Sequence, residues 1–185
     1  MKKLVAIVEV ASDGVSGCLV DFSGSTSGKL CPRFIVFHRQ SIAYRAELNL
    51  ERFLADTFAA FQLTLEKLAA NDGRRAELVC FLASPFYVSQ TRLVRWQQAE
   101  PVSVTRRLLN GMIAEDEKRF IQSAPGLYPE IIGDHYEVID RKIMQTKLNR
   151  YPTVQPENQV AKEIEINNYL SLGSSKILNR FRDLA

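Results

Sequence analysis

Up to about residue 39 the apolar residues come in short β-rich runs, and from Asn49 they recur every third or fourth position, so one segment must be a sheet and the next a helix. Leu4 to Val10 and Gly17 to Phe22 are two such runs. They are joined by Ala11-Ser12-Asp13-Gly14-Val15-Ser16, whose Asp and Gly suit a tight hairpin connection. After the polar loop Ser23 to Lys29, the run Arg33 to Arg39 extends the sheet as a third strand. Leu50, Phe53, Leu54, Thr57, Phe58, Phe61, Leu65 and Leu68 then fall on one face of a helix of about 20 residues. Asn49 is a fitting N-cap and Asn71-Asp72-Gly73 a fitting stop. Glu77 to Leu82 reads as a strand buried on both faces, reached by a crossover and therefore parallel to an earlier strand. The order so far is β-β-β-α-β, and no internal repeat at a period of 20 to 50 residues points to a solenoid.

A second block follows Ser84-Pro85. It consists of a strand near Tyr87 to Trp96, then a helix from about Ser103 to Phe120 with Val104, Leu108, Met112 and Ile113 on its apolar side and Pro101 just ahead of it. A turn-rich connection, Ser123 to Asp134, leads to a strand near Tyr136 to Leu148. Beyond the loop Asn149 to Pro156, the alternating run Ile164 to Leu170 pairs with that strand as a long hairpin. At the end, Ile177, Leu178, Phe181 and Leu184 share one helical face, with Lys176, Arg180 and Arg182 elsewhere. The expected fold is α+β, with a mixed-sheet lobe at 1–84, a strand-helix-strand-strand part at 85–172 and a terminal packing helix at 173–185.

Twenty-four Lys and Arg against 21 Asp and Glu leave +3, mixed along the chain, so no nucleic-acid partner is expected. The apolar start is cut at Glu9, too short for a signal peptide, and no run reaches the roughly 18 apolar residues that span a bilayer. A cytoplasmic location is expected. Cys18, Cys31 and Cys80 lack CxxC spacing and read as core residues; His38 and His135 belong to no ligand cluster.

The hairpin of small residues after the first strand exposes backbone N–H groups that can cradle a phosphate, and a carboxylate ending that strand can hold a hydrated metal. A plain structural turn fits the same residues. The segment Val5 to Val20 resembles the first phosphate motif of the actin and Hsp70 superfamily, and β-β-β-α-β is the order of that fold's first, ribonuclease-H-like lobe. Within the superfamily the second block is similar to the insert of the cell-division protein FtsA and its pilus-assembly relative PilM. The segments Tyr136 to Asp140, Tyr151-Pro152 and Pro156 to Ile166 resemble the paired strands of that insert.

The resemblance implies a cytoplasmic scaffold of cell division or pilus assembly, with the insert contacting another copy or a partner protein. Its nucleotide corner is Glu9, Ala11, Ser12, Asp13, Gly14, Ser16 and Gly17, with Glu9 the metal contact through water. Glu9 replaces the family's Asp and Ala11 its first Gly, so Mg-ATP is expected to bind weakly. No second Asp-x-Gly-Gly segment follows, so an autonomous ATPase is not expected; the alternative is half of an ATP-binding switch completed by another chain or a longer gene product. Ribonuclease-H-like nuclease chemistry would use Glu9, Asp13 and Asp21, but the fourth strand offers only Glu77. Arg92, Arg95 and Trp96 are candidate interface residues, although an amphipathic edge strand with Trp96 on its core side is the stronger reading. FtsA-like proteins reach membranes through a C-terminal amphipathic helix, but in the family this position holds a helix leading back into the first lobe, so core packing is expected.

Overall fold

The computed structural model of the chain describes residues 4–24, 31–43, 49–71, 76–127 and 135–185. Most of the loop Ser23 to Lys29, the stop signal at Asp72-Gly73 and the turn at Gly133-Asp134 lie outside them. Among the described residues the fold is mixed α+β, with two four-stranded sheets and three helices, and the chain divides into two compact units. Unit 1 is Met1–Phe86 with Ile177–Ala185, and unit 2 is Tyr87–Lys176. Against the expected limits of 84 and 172, the units change at 86 and 176, and the terminal helix belongs with the first unit.

In unit 1, β1 (Leu4–Ala11), β2 (Gly14–Asp21), β3 (Arg33–Ser41) and β4 (Glu77–Leu82) form a sheet of order β3-β2-β1-β4. β1 pairs antiparallel with β2 and parallel with β4, as a crossover through α1 (Leu50–Ala69) requires. Asn49 caps α1, its side chain accepting from the Arg52 amide at 3.0 Å. The β1–β2 connection is only Ser12-Asp13, because the ladder continues to Ala11 opposite Gly14.

Alternation divides the residues of this sheet between two faces. Ala6, Val8 and Val10 of β1 and Val15 and Leu19 of β2 face the helices and are buried. There α1 contributes Ala60, Phe61 and Leu68, and α3 (Ser175–Leu184) contributes Ile177, Leu178 and Phe181. The amphipathic terminal helix therefore spends its apolar face on the core of unit 1.

Two glycines make this packing possible. A Cβ on Gly17 would stand 2.6 Å from Thr64 Cγ2 and 3.0 Å from Leu68 Cδ1, and one on Gly14 would stand 2.6 Å from the Gln40 carbonyl oxygen. Gly17 thus lets α1 settle on β2, and Gly14 lets β3 run close beside the hairpin. Gly17→Ala is expected to cost about 1–3 kcal/mol through overpacking, read from the urea unfolding midpoint. Thr64→Ser, which removes the methyl group in the way, should restore part of that loss; no recovery in the double variant would mean that Gly17 is not there for helix packing.

In unit 2, β5 (Tyr87–Ser103), β6 (Tyr136–Leu148), β7 (Tyr151–Thr153) and β8 (Val160–Ser174) form an antiparallel sheet of order β5-β8-β6-β7. The helix α2 (Arg106–Leu127) covers one face. β6 and β8 pair as the expected long arms, and β7 is a short addition inside the loop between them. The β6–β7 turn is Asn149-Arg150, both at positive φ, 48° and 74°. Asn149 Oδ1 accepts from the amides of Lys162 and Glu163, which fixes the turn against β8.

The expected end of β5 at Trp96 and start of α2 at Ser103 are corrected. β5 resumes its pairing with β8 at Val102 and Ser103 after an irregularity from Gln97, and Pro101 falls inside that interruption, where its missing N–H costs no ladder bond. The helix starts at Arg106, with the Thr105 hydroxyl accepting from the Leu108 amide at 3.2 Å.

Two burial expectations are also corrected. β4 is an edge strand of its sheet, and Phe81 on it is 57% exposed, so it is not buried on both faces. Cys31 and Cys80 are exposed and Cys18 is half-buried, so the cysteines are not a core set.

Candidate functional site

The nucleotide-corner residues are divided between the two faces and the tip of unit 1. Glu9 is exposed and lies level with Ser16 on β2 and Phe81 on β4, on the face away from the helices. Gly17 is turned to the opposite face, under α1. Ser12 and Asp13 form the hairpin tip, where Asp13 is paired with Arg39 of β3 and its carbonyl accepts from the Ile42 amide at 2.9 Å. Val10 O accepts from the Ala83 amide at 2.8 Å. Ala11 and Gly14 close the ladder. The structure therefore brings Glu9 and Ser16 together at one surface and gives Gly14 and Gly17 packing roles, while Asp13 already has a cationic partner.

Glu9, Asp13 and Asp21 do not converge on one metal position. Asp21 stands opposite Leu4 at the far end of the β1–β2 ladder, five positions from the Glu9–Ser16 pair, or about 17 Å along the strand. Its buried carboxylate accepts from Ser23 Oγ and from the Ser23 amide at 2.8 Å, and Arg33 pairs with it at 3.1 Å. The hydrogen bonds from Ser23, reinforced by Arg33, hold its carboxyl below the ordinary carboxylate range. Asp21 is thus a structural acid that ties the end of β2 to the start of β3. Among the described residues no three His, Cys, Asp or Glu side chains gather where a metal ion would fit.

Arg92, Arg95 and Trp96 do not form one surface. Arg92 and Trp96 lie level with Asn168 and Ile164 of β8, on the face that α2 covers. Trp96 is half-buried against the cluster of Val104, Leu109, Met112 and Ile164. Arg92 Nε pairs with Asp116 of α2 at 2.8 Å, and its guanidinium sits 4.9 Å from the centre of the Phe120 ring. Arg95 points to the other face, where Glu165 lies between it at 2.9 Å and Lys147 at 3.8 Å. That face is a solvated charge ladder, as the open side of an antiparallel sheet commonly is.

A surface that the sequence reading missed lies across unit 1. The strand registers align Val79, Ile7, Cys18 and Phe37 in one row on the face opposite α1, with Val5, the buried Val20 and Phe34 in the next. Phe34 is 73% and Phe37 68% exposed on the β3 edge of the sheet, with Ile35 exposed next to them, and Phe81 is exposed on the opposite edge, β4. The sequence signal was that both alternating sets of β3, Phe34 and Val36 as well as Ile35 and Phe37, are apolar, which is the mark of a strand with two faces to cover. Large apolar side chains left exposed on a sheet face make it a candidate interaction surface.

No protein-family model matches the chain, and no curated protein matches it. Among solved structures, the backbone is similar to a chain of the PilM-PilN type IV pilus biogenesis complex, with a TM-score of 0.50 and 11% sequence identity. The similarity covers 100% of this chain and 44% of that one, so the chain spans less than half the length of this neighbour. At such identity the likeness is one of fold, and it agrees at that level with the resemblance noted in the sequence. No described helix is long and apolar enough to cross a membrane.

Proposed function

We propose that the protein is a FtsA/PilM-like scaffold component of pilus assembly or cell division, acting through protein–protein contacts on the cytoplasmic side of the membrane. The observation that carries this reading is the whole-chain similarity of fold to a chain of a pilus biogenesis complex. The aromatic residues on this face of unit 1 support it independently, since Phe34, Phe37 and Phe81 are large apolar side chains left more than half exposed. Partners are another copy of the chain or a second scaffold protein.

A photo-crosslinking amino acid placed in cells at Phe37, and separately at Phe81, tests it. Discrete adducts with the chain itself or with a division or pilus-assembly protein are expected, and adducts no stronger than those from the exposed helix position Glu115 would overturn the reading.

The nucleotide corner is proposed as a remnant: Glu9 and Ser16 still share a surface, but Gly17 is committed to α1 and Asp13 to Arg39. Calorimetric titration of the chain with Mg-ATP is expected to show no binding tighter than about 100 µM. Tighter binding that Glu9→Ala removes would instead favour the second reading, half of an ATP-binding switch, which the outward-facing Glu9–Ser16 pair and the 44% span of the neighbour's length leave standing.

A further inference from the structure

In unit 2, α2 lies over β8: Leu109, Met112 and Ile113 pack with Ala161, Ile164 and Ile166. On β6, one strand further out, that cover ends, and Ile143 is 50% and Met144 57% exposed. Between α2 and β6 runs a groove of about 900 Å³, walled by Ile113, Ile143, Met144, Pro152 and Val154. A hollow of about 470 Å³ shares Asn110, Ile113 and Ile143 with it and continues to Asn168.

Three observations describe what this groove would hold. The first is charge. Arg106 and Arg141 line the two hollows against a single acid, Glu157, and Lys142 borders them from the other face of β6. Glu117 engages Arg141 at 3.1 Å, but among the described residues Arg106 and Lys142 have no ion-pair partner. Arg106 also begins α2, whose positive end adds to its field.

The second is the open edge of β6. This strand pairs with β8 along its length but with β7 only at Thr146–Leu148, so from Tyr136 to Gln145 no described strand takes its outer backbone groups. Irregularities at Val138/Asp140 and Ile143/Gln145 bound a regular stretch, Asp140 to Ile143, along which another strand can pair. The third is Asn168, 1% exposed, whose Nδ2 has no hydrogen-bond partner although it is buried at the hollow. Such orphaned donors are rare in a finished interior.

The geometry points to an extended segment of a protein partner, alternating apolar and acidic residues, that adds to the open edge of β6 and lays its apolar side chains in the groove beneath α2. The alternation follows from register: Ile143 lies level with Asn168 on the α2 side and Lys142 level with Tyr169 on the other, so a strand alongside presents successive residues to groove and lysine in turn. The inner edge of β6 already accepts such a strand. On β8, Ile164 and Ile166 pack beneath α2 while Glu165 between them meets Lys147. This inference rests on the proposed scaffold role only in requiring a protein partner.

The test uses the full chain and a fluorescein-labelled hexapeptide, Leu-Glu-Ile-Glu-Ile-Glu, followed by fluorescence anisotropy, with Leu-Lys-Ile-Lys-Ile-Lys as control. The acidic peptide is expected to bind with a Kd below about 100 µM and the basic one at least about tenfold more weakly. Ile143→Glu and Met144→Asp, both at exposed positions, should each weaken binding at least about tenfold while leaving the melting temperature unchanged, and Lys142→Glu should invert the preference between peptides. Equal binding of both peptides, no binding of the acidic one, or binding indifferent to both groove variants overturns the inference. Self-association of the chain alone, abolished by Ile143→Glu, would assign the groove to a second copy and overturn it equally. None of these outcomes bears on crosslinking from Phe37 and Phe81, which lie on the other unit.

Discussion

Replacing Phe181 by alanine is expected to destabilise unit 1 by about 3–5 kcal/mol, the range for removing a buried aromatic ring. The ring is 5% exposed and lies 5.1 Å from the centre of Phe58, 4.9 Å from Phe61 and 6.1 Å from Phe86. These tilted and edge-on contacts join α3 to α1, so the cavity would open in the middle of an aromatic cluster, where collapse is hardest. Amide exchange in β1 reads the effect, because Val8 and Val10 are fully buried beneath that cluster and exchange only when the unit opens. Protection there should fall by two orders of magnitude or more, by about tenfold per 1.4 kcal/mol.

The alternative role of α3, membrane anchoring, predicts the opposite pair of results. An anchor that lies on a bilayer would have Ile177, Leu178 and Phe181 at the surface, and Phe181→Asp would abolish liposome binding while leaving β1 protected. All three side chains are buried, so little or no liposome binding is expected from the native chain and loss of the fold from Phe181→Asp. Unchanged β1 protection in Phe181→Ala, together with liposome binding that the variant loses, would return α3 to the membrane.

How much of this was legible in the sequence depended on whether the signal was local. The change of period at Asn49, the capping asparagine and the paired arms β6 and β8 are properties of short windows, and they came through. The exposure of Phe37 and Phe81 did not, because whether an apolar strand face is covered depends on what packs there, not on the strand. The glycines of the candidate corner show a similar limit. Gly14 and Gly17 sit where a phosphate motif would have glycines, but the atoms that require them small are the Gln40 carbonyl and the Thr64 and Leu68 side chains, up to 51 positions away in the chain. A glycine in a sequence does not say which side needs the space. Pro101 was placed by a valid local rule, the preference of proline for the first turn of a helix, that lost to the tolerance of an interrupted edge strand.

Arg92 shows the same limit and carries the second large expected effect. In sequence it was an exposed arginine near a tryptophan; in the fold it reaches from β5 to Asp116, 24 positions on, and also meets Gln90 at 3.0 Å. Asp116 is 8% exposed and its Oδ2 has no hydrogen-bond partner, so the guanidinium is its principal compensation. Arg92→Leu would leave a nearly buried carboxylate uncompensated, and a loss of about 3–5 kcal/mol is expected. Trp96, the single tryptophan, is half-buried in the same unit, and its fluorescence follows the unfolding of unit 2 directly. If the charge left behind is the cause, the double variant Arg92→Leu/Asp116→Leu should regain most of the lost stability, since an apolar pair of similar volume often replaces a buried ion pair without penalty. A merely packing role for the arginine stem over Phe120 predicts that the two losses add, with no recovery in the double variant. A change below about 0.5 kcal/mol in Arg92→Leu would place the pair among weak surface contacts and make Arg92 available again as an interface residue.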